Sequence, residues 1–207
     1  MPNPRNNNPV FQFLINLWSK HCPLEDFHVQ WAKKHIHIHQ NLKKGDQLYW
    51  PDDYDKRVLI VTKGLIGRIK ENQKSGKRKI ITLGTPGMAM MTTKHLFSNT
   101  PSAGEIIVLR TGTDIASIKY HHIYQLREME KNVNTLINIF TNKKKEQLSI
   151  LRRVDLEETG FDACLQFTKE FPQLFLLLTR QEIADLLSIS LRTVQDVVSY
   201  LAKNPSR

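Results

Sequence analysis

The hydrophobic positions divide the chain into stretches of different period. Between residues 10 and 34 apolar side chains recur at near-helical spacing, and Cys22-Pro23 predicts a break between two short helices, because proline restricts the residue before it. From His35 to about Tyr120 the period is two, with frequent Gly turns, and after Tyr120 the helical period returns. The order predicts an α+β protein whose N-terminal part is an antiparallel, jelly-roll-like β-roll.

The alternating stretch predicts many short strands. They are expected at 35–39, 47–50, 57–62, 65–70, 79–83, 105–110 and 114–118. On the first of them His35, His37 and His39 would share one face, where they could in principle bring metal ligands together. A polar row facing solvent is favoured, because no Cys, Asp or Glu follows at ligand spacing. No metal site is therefore predicted.

Residues 120–150 predict one long central helix, because their apolar residues recur at threes and fours. Such a helix can present an apolar stripe to a second copy of the chain, or it can pack into the chain's own core. The pattern leaves both alternatives open. If the helix does pair, the candidate dimerisation residues are Leu126, Met129, Val133, Leu136, Ile137 and Phe140.

The stretch from Thr179 to Leu201 predicts two short helices joined by a tight turn. Thr179 and Glu182 have the spacing of a capping box, and Ser190 is a suitable N-cap for the second helix. Small Ala184 allows the helices to approach closely. A helix-turn-helix that binds DNA is favoured over an ordinary helical hairpin, because the cap, the turn and the apolar positions all agree.

The charge balance suggests a polyanionic partner but does not locate its binding site. The 207 residues carry a net charge of +10. Residues 1–120 hold 18 Lys and Arg against 9 Asp and Glu, whereas residues 121–207 hold 12 against 11. Net charge therefore gives no support to the helix-turn-helix, and it favours modest DNA affinity or help from the basic half.

Several functional classes lack their usual signals. No apolar run reaches membrane-spanning length, and the N-terminus has no apolar core of a signal peptide. The two cysteines, Cys22 and Cys164, are far apart in the sequence and are expected to be reduced thiols. Because thiols stay reduced in the cytoplasm, a cytoplasmic protein without membrane attachment is expected. There is no nucleophile elbow, Walker loop, dinucleotide turn or zinc-protease motif, so neither an enzyme nor a cofactor is expected.

With these elements in this order, the chain resembles the Crp/Fnr family of bacterial transcription regulators. The resemblance rests on LKKGD at 42–46, VTKGLIGR at 61–68, SGKRKIITLGTPG at 75–87 and LTRQEIADLLSIS at 178–190, the last being the most specific. It implies a sensor-like β-roll domain at 1–120, a central dimerisation helix at 121–150 and a helix-turn-helix domain at 151–207. It also implies a homodimer on palindromic double-stranded DNA.

The resemblance also implies residues that would contact DNA. Base edges would be read by Leu191, Arg192, Gln195 and Asp196, with Ser190 and Thr193 near phosphates. Arg180 matches the family's phosphate-contacting position, and Thr179 and Gln181 flank it. Asp196 would repel phosphate unless it accepts from cytosine or orients Arg192. Ser188 stands where glycine is commoner, and the chain stops soon after Lys203, so no β-hairpin wing is expected.

The sequence departs from the family's ligand patterns. Gly87 is followed by Met88-Ala89-Met90, so the carboxylate that contacts a cyclic nucleotide in the family is missing there. Pro101 precedes Ser102-Ala103, so the guanidinium that would neutralise the phosphate is missing as well. Cyclic AMP is therefore not the predicted effector. The N-terminus also lacks the cysteine cluster of iron–sulfur members. Another effector could lie near the pocket candidates Met88, Met90, Met91 and Ser102, although ordinary core packing is the favoured alternative.

Two functions thus remain open. The first is a homodimeric, sequence-specific transcription regulator. The second is a sensor or interaction protein of the same fold that has lost strong DNA binding, as Asp196 and the absent wing allow. The two differ in whether the chain selects a palindrome from random duplexes with a steep salt dependence.

Overall fold

The computed structural model describes residues 7–51, 53, 55–130 and 133–204, and these form two compact units. The first unit combines residues 1–68 and 83–144, and the second combines residues 69–82 and 145–207. The helices are α1 (Pro9–Ser19), α2 (Asp26–His35), α3 (Tyr120–Met129), α4 (Val133–Val154), α5 (Gly160–Glu170), α6 (Pro172–Leu177), α7 (Arg180–Leu187) and α8 (Leu191–Lys203). The strands are β1 (His37–Leu42), β2 (Gln47–Tyr49), β3 (Arg57–Lys63), β4 (Ile66–Glu71), β5 (Arg78–Gly84), β6 (Ala89–Met91), β7 (Glu105–Val108) and β8 (Thr113–Lys119).

The strands form the two antiparallel sheets of a β-roll, which confirms the predicted fold class. One sheet has the order β1-β8-β3-β6 and the other β2-β7-β4-β5. Gly64 forms the β3–β4 turn with φ +82°, and a Cβ there would lie 2.2 Å from the Thr113 hydroxyl oxygen. Only glycine combines this backbone conformation with this close approach.

Strand β3 divides the apolar side chains of the first unit into two cores. Successive side chains of a strand point to opposite faces. Val58 and Ile60 therefore join the core under α1, α2 and α3, whereas Leu59 and Val61 join the core of the roll. Because both faces are covered, the middle of β3 is buried at every position.

The N-terminal helices cover one face of the first sheet, and each begins at a cap. The Asn8 side chain accepts hydrogen bonds from the Val10 and Phe11 amides, and Pro9 occupies the first turn, where no amide donor is needed. At α2 the Glu25 amide donates to His28 Nδ1 over 3.0 Å. The predicted break near Cys22-Pro23 is confirmed.

The predicted single central helix is wrong, because the chain leaves the helical conformation after Met129. Glu130, the C-cap of α3, has an extended backbone (φ −140°, ψ 113°), and α4 begins at Val133. The Glu130 carboxylate lies 3.5 Å from His28 Nε2. The apolar period continues across the break, so it could not reveal that two helices share it.

Three of the six dimerisation candidates pack in the core of their own chain. Leu126 and Val133 are buried and Ile137 is partly buried, all in the core under the N-terminal helices. This corrects the prediction for Leu126 and Val133, since a buried side chain is not free to pair with another copy. Met129 is 72% exposed. The side chains of Leu136 and Phe140 lie outside the described part of the structure.

The predicted boundary between α2 and the first strand also shifts. His35 is the last residue of α2 and not the first of a strand, so only His37 and His39 lie on β1. The helix α5 begins at Gly160, where the Thr159 hydroxyl accepts from the Asp162 amide. Leu156 is 76% exposed. Within the described residues no helix is both long and apolar enough to cross a membrane.

Candidate nucleic-acid interface

The start of α7 is fixed by a reciprocal cap. The Thr179 amide donates to Glu182 Oε2 over 2.8 Å, and the Glu182 amide donates to Thr179 Oγ1 over 3.2 Å. Two amides that the helix leaves unbonded are thus satisfied, at the spacing that the sequence predicted. The Thr179, Arg180 and Gln181 side chains remain exposed at this helix end.

The turn between α7 and α8 depends on one left-handed residue. Ser188 has φ 57° and ψ 33°, a conformation that a residue with a Cβ seldom adopts. Ser190 then caps α8, and its Oγ accepts from the Thr193 amide over 3.0 Å. The Ser190 and Thr193 hydroxyls also bond each other over 2.8 Å, so both predicted phosphate-side residues form part of the cap.

A buried seam holds the two helices together. Val194 and Val197 of α8 have no exposed surface, and Ile183 and Ala184 of α7 are almost as deeply buried. Ile189 reaches α5 from the turn, since a Cβ at Gly160 would lie 3.0 Å from Ile189 Cγ2. The seam fixes the direction of α8, and hence of its outer face.

The outer face of α8 carries all four predicted base-reading side chains. Leu191, Arg192, Gln195 and Asp196 are exposed on its first two turns. Within the described part of the chain, the side chains of Arg192, Gln195 and Asp196 form no hydrogen bond or ion pair, so Asp196 does not orient Arg192. A row of free polar groups on a rigid helix is available to another molecule.

Two of the predicted effector residues, Met90 and Met91, lie on opposite faces of β6. Met90 is buried in the core of the roll, whereas Met91 packs toward the N-terminal helices. Met88 is buried, and its sulfur accepts from the Thr85 hydroxyl over 3.0 Å. Ser102 Oγ donates to the Thr93 carbonyl over 2.7 Å. The alternation of the strand separates Met90 from Met91, and an effector pocket at these four residues stays a prediction.

Met91 lines a small apolar cavity of about 70 Å³ in the first unit. Trp18 and Trp31 from the N-terminal helices also form its wall. The indole N–H of Trp18 is buried without a hydrogen-bond partner. The wall of the cavity is apolar, although His28 and Glu130 are among the residues that line it.

Arg68 of β4 is a functional candidate that the sequence did not reveal. Its guanidinium donates to the carbonyls of Met91 (2.5 Å), Gly104 (3.4 Å) and Ala103 (3.5 Å), and it lies 5.7 Å from the centre of the Tyr49 ring. A guanidinium from β4 therefore reaches Ala103, next to Ser102, although the motif at these residues carries no arginine of its own. Its donors are engaged by the chain's own carbonyls. Burial lowers the pKa of the Arg68 guanidinium.

Several histidines of the first unit form a surface cluster. The His35 and His122 rings are 4.0 Å apart, and the His121 and His122 rings are 3.9 Å apart. Burial first, and then neighbouring positive charges, lower the pKa of His35 and of His122. Among the described residues no group of three or more His, Cys, Asp or Glu side chains could hold a metal ion.

Comparisons with known proteins identify similar folds. No family model matches the chain, and no curated protein sequence matches it. FixK2 from Bradyrhizobium japonicum aligns with a TM-score of 0.69 at 16% identity, covering 82% of this chain and 86% of its own. The c-di-GMP responsive global regulator CLP from Xanthomonas campestris aligns at 0.67 and 15% identity, covering 87% and 93%.

A third similar structure, from Eubacterium rectale, is described as a transcriptional regulator of the Crp/Fnr family. It aligns with a TM-score of 0.63 at 13% identity and covers 91% of this chain and 87% of its own. All three alignments extend over both the β-roll and the C-terminal helices, because each covers more than four fifths of the chain. The chain has the fold of the Crp/Fnr regulators.

Proposed function

We propose that this protein is a transcription regulator that binds double-stranded DNA through α8, as a homodimer on a palindromic operator. One observation carries the proposal: the exposed row of Leu191, Arg192, Gln195 and Asp196 on a helix whose opposite side is locked into a buried seam. A recognition helix needs both properties, since its side chains must enter the major groove from a fixed direction. The similar fold of regulators supports the proposal.

The side chains on α8 suit distinct base edges. An arginine at position 192 can donate two hydrogen bonds to guanine, and the Gln195 amide can bond adenine in the same bidentate way. Leu191, which is 39% exposed, can contact a thymine methyl group. The exposed Arg180 at the start of α7, together with the Ser190 and Thr193 hydroxyls at the start of α8, would contact phosphates, which position the protein without reading sequence.

The homodimer is proposed from the geometry of DNA. Two copies of α8 would enter successive major grooves about 34 Å apart. Within the proposed dimerisation segment at 121–150, the exposed Met129 and the outward positions of α4 are the candidates for pairing. We expect Met129→Asp to shift the dimer toward monomers in light scattering, whereas Lys169→Asp, an exposed control on α5 outside this segment, should leave the mass unchanged.

Selection from random DNA tests the proposal directly. The full chain would be incubated with a pool of random duplexes, and bound molecules would be amplified and sequenced over several rounds. We expect an inverted repeat whose half-site centres are one helical turn, about 10 base pairs, apart. A pool that stays random after repeated rounds would contradict the proposal.

Asp196 favours the second candidate, an interaction protein of this fold with weak DNA binding. Its exposed carboxylate has no cationic partner among the described residues, so it would repel nearby phosphates. If it only repels, Asp196→Asn should tighten binding to all duplexes alike. If it accepts a hydrogen bond from cytosine N4, the same change should relax the preference at a single base pair.

A further inference from the structure

The second unit draws its positive charge from a hairpin that lies far from the helix-turn-helix in sequence. Residues 145–207 hold 8 Lys and Arg against 9 Asp and Glu. Residues 69–82, which belong to the same compact unit, hold 5 against 1. A duplex presents one phosphate charge per about 1.7 Å of its axis, so a binding unit without excess positive charge would have little general affinity for it.

The tip of the β4–β5 hairpin is ordered by its own hydrogen bonds. Asn72 Oδ1 accepts from the Lys74 amide over 3.0 Å and from the Ser75 amide over 3.2 Å. The Asn72 amide donates to the Lys77 carbonyl over 2.9 Å, and Gly76 takes the left-handed conformation that closes the turn. Lys74 and Lys77 are therefore displayed from a defined backbone.

This hairpin and the turn of the helix-turn-helix line one groove. The groove has a volume of about 690 Å³, and Lys70, Lys74, Lys77 and Lys79 lie along it with a single carboxylate, Glu71. Ser188, two residues before the N-cap of α8, lines it as well. Four ammonium groups thus lie beside the turn that leads into the recognition helix.

We propose that this lysine groove binds backbone phosphates of the duplex whose bases α8 reads. The inference rests on the proposed function and adds a second DNA-contacting element to it. Lysine serves here as a point charge on a flexible stem, which suits contact with phosphates at varied positions and conveys no base preference. The groove would raise affinity for every duplex equally, whereas α8 would supply the choice among them.

The salt dependence of DNA binding tests the proposal. Affinity of the full chain for its selected duplex and for a random duplex would be measured from 50 to 300 mM salt. For Lys74→Ala/Lys77→Ala we expect the slope of log K against log salt to fall by about 1.8, since each lost contact removes about 0.9. At 0.1 M salt this corresponds to roughly eightfold weaker binding per contact, equal on both duplexes.

Two variants serve as controls. Lys169→Ala/Lys203→Ala removes the same charge from exposed positions of the same unit that do not line the groove, and we expect a slope close to that of the wild type. Lys74→Arg/Lys77→Arg retains both charges and should restore the slope.

The outcomes separate the two proposals. If the wild type selects and binds a palindrome but both double-alanine variants have the wild-type slope, the groove does not contact DNA, while the regulator proposal stands. If the wild type binds no duplex, both proposals fail. The Lys74→Ala/Lys77→Ala variant could instead fail to bind inorganic tripolyphosphate in calorimetry and yet keep the wild-type salt dependence of DNA binding. That result would assign the groove to a free polyphosphate and overturn its assignment to DNA.

Discussion

The outer face of α8 and the interior of the β-roll both hold an arginine, and the two arginines are in opposite situations. Arg192 is exposed and has no partner in the described part of the chain. Arg68 is only 4% exposed and donates to three backbone carbonyls. A guanidinium with free donors can recognise another molecule, whereas one with engaged donors mainly holds its own fold together.

The difference shows that the partners of a charged group decide its role. The motif around Arg192 could be recognised in the sequence because caps and spacing are local. The role of Arg68 depends on carbonyls at positions 91, 103 and 104, which only the roll brings to β4.

Removing the buried guanidinium should have the largest effect on stability. We expect Arg68→Ala to lower the free energy of unfolding by about 3 kcal/mol, because it leaves a cavity and three carbonyls without their donor. Arg68→Lys should recover only part of this loss, since one ammonium group cannot span the same acceptors. Urea denaturation followed by circular dichroism would measure both.

Arg68→Met provides the opposing test, because it fills much of the volume without a charge. If the guanidinium stabilises the fold, this variant is also less stable than the wild type. A variant more stable than the wild type would mean that Arg68 is kept for a bound anion at a cost in stability, and it would remove the contrast with Arg192.

The sequence predicted the fold and the exposed face of α8 in part. The β-roll, the capping box of Thr179 and Glu182, and the exposed side of α8 follow from short-range patterns, and the structure agrees with them. The break after Met129 could not be predicted, because the apolar period runs through it unchanged. The lysine groove escaped notice because it joins residues more than 100 positions apart in the sequence.

A smaller effect is expected at the turn that directs α8. Ser188→Gly should stabilise the protein by about 0.5–1 kcal/mol, since glycine adopts the left-handed conformation without the cost of a Cβ. Asn41→Gly is a matched comparison, because Asn41 has a similar φ of 55° but asparagine tolerates it better. Thermal unfolding should show a larger gain for Ser188→Gly, and an equal gain at both sites would contradict this explanation.

The smallest effect concerns the histidine cluster of the first unit. The pKa values of His35 and His122 are lowered from 6.5 in the folded protein, so the unfolded chain takes up protons first as the pH falls. The contribution of these two histidines to the free energy of unfolding should therefore be constant above about pH 7.5 and should decrease as the pH falls below about 6.5. His122→Gln should reduce the slope, and His95→Gln, at an exposed site outside the cluster, should not.

The proposal that Arg192 reads a base is tested most directly by the specificity ratio, which is the affinity of the protein for the selected palindrome divided by its affinity for a scrambled duplex. Affinities for the selected palindrome and for a scrambled duplex would be compared among the wild type, Arg192→Ala and Arg152→Ala, an exposed arginine on α4. We expect Arg192→Ala to lose about 1–3 kcal/mol of discrimination per half-site, at one base pair, while Arg152→Ala keeps the wild-type ratio. An unchanged ratio for Arg192→Ala would contradict the account.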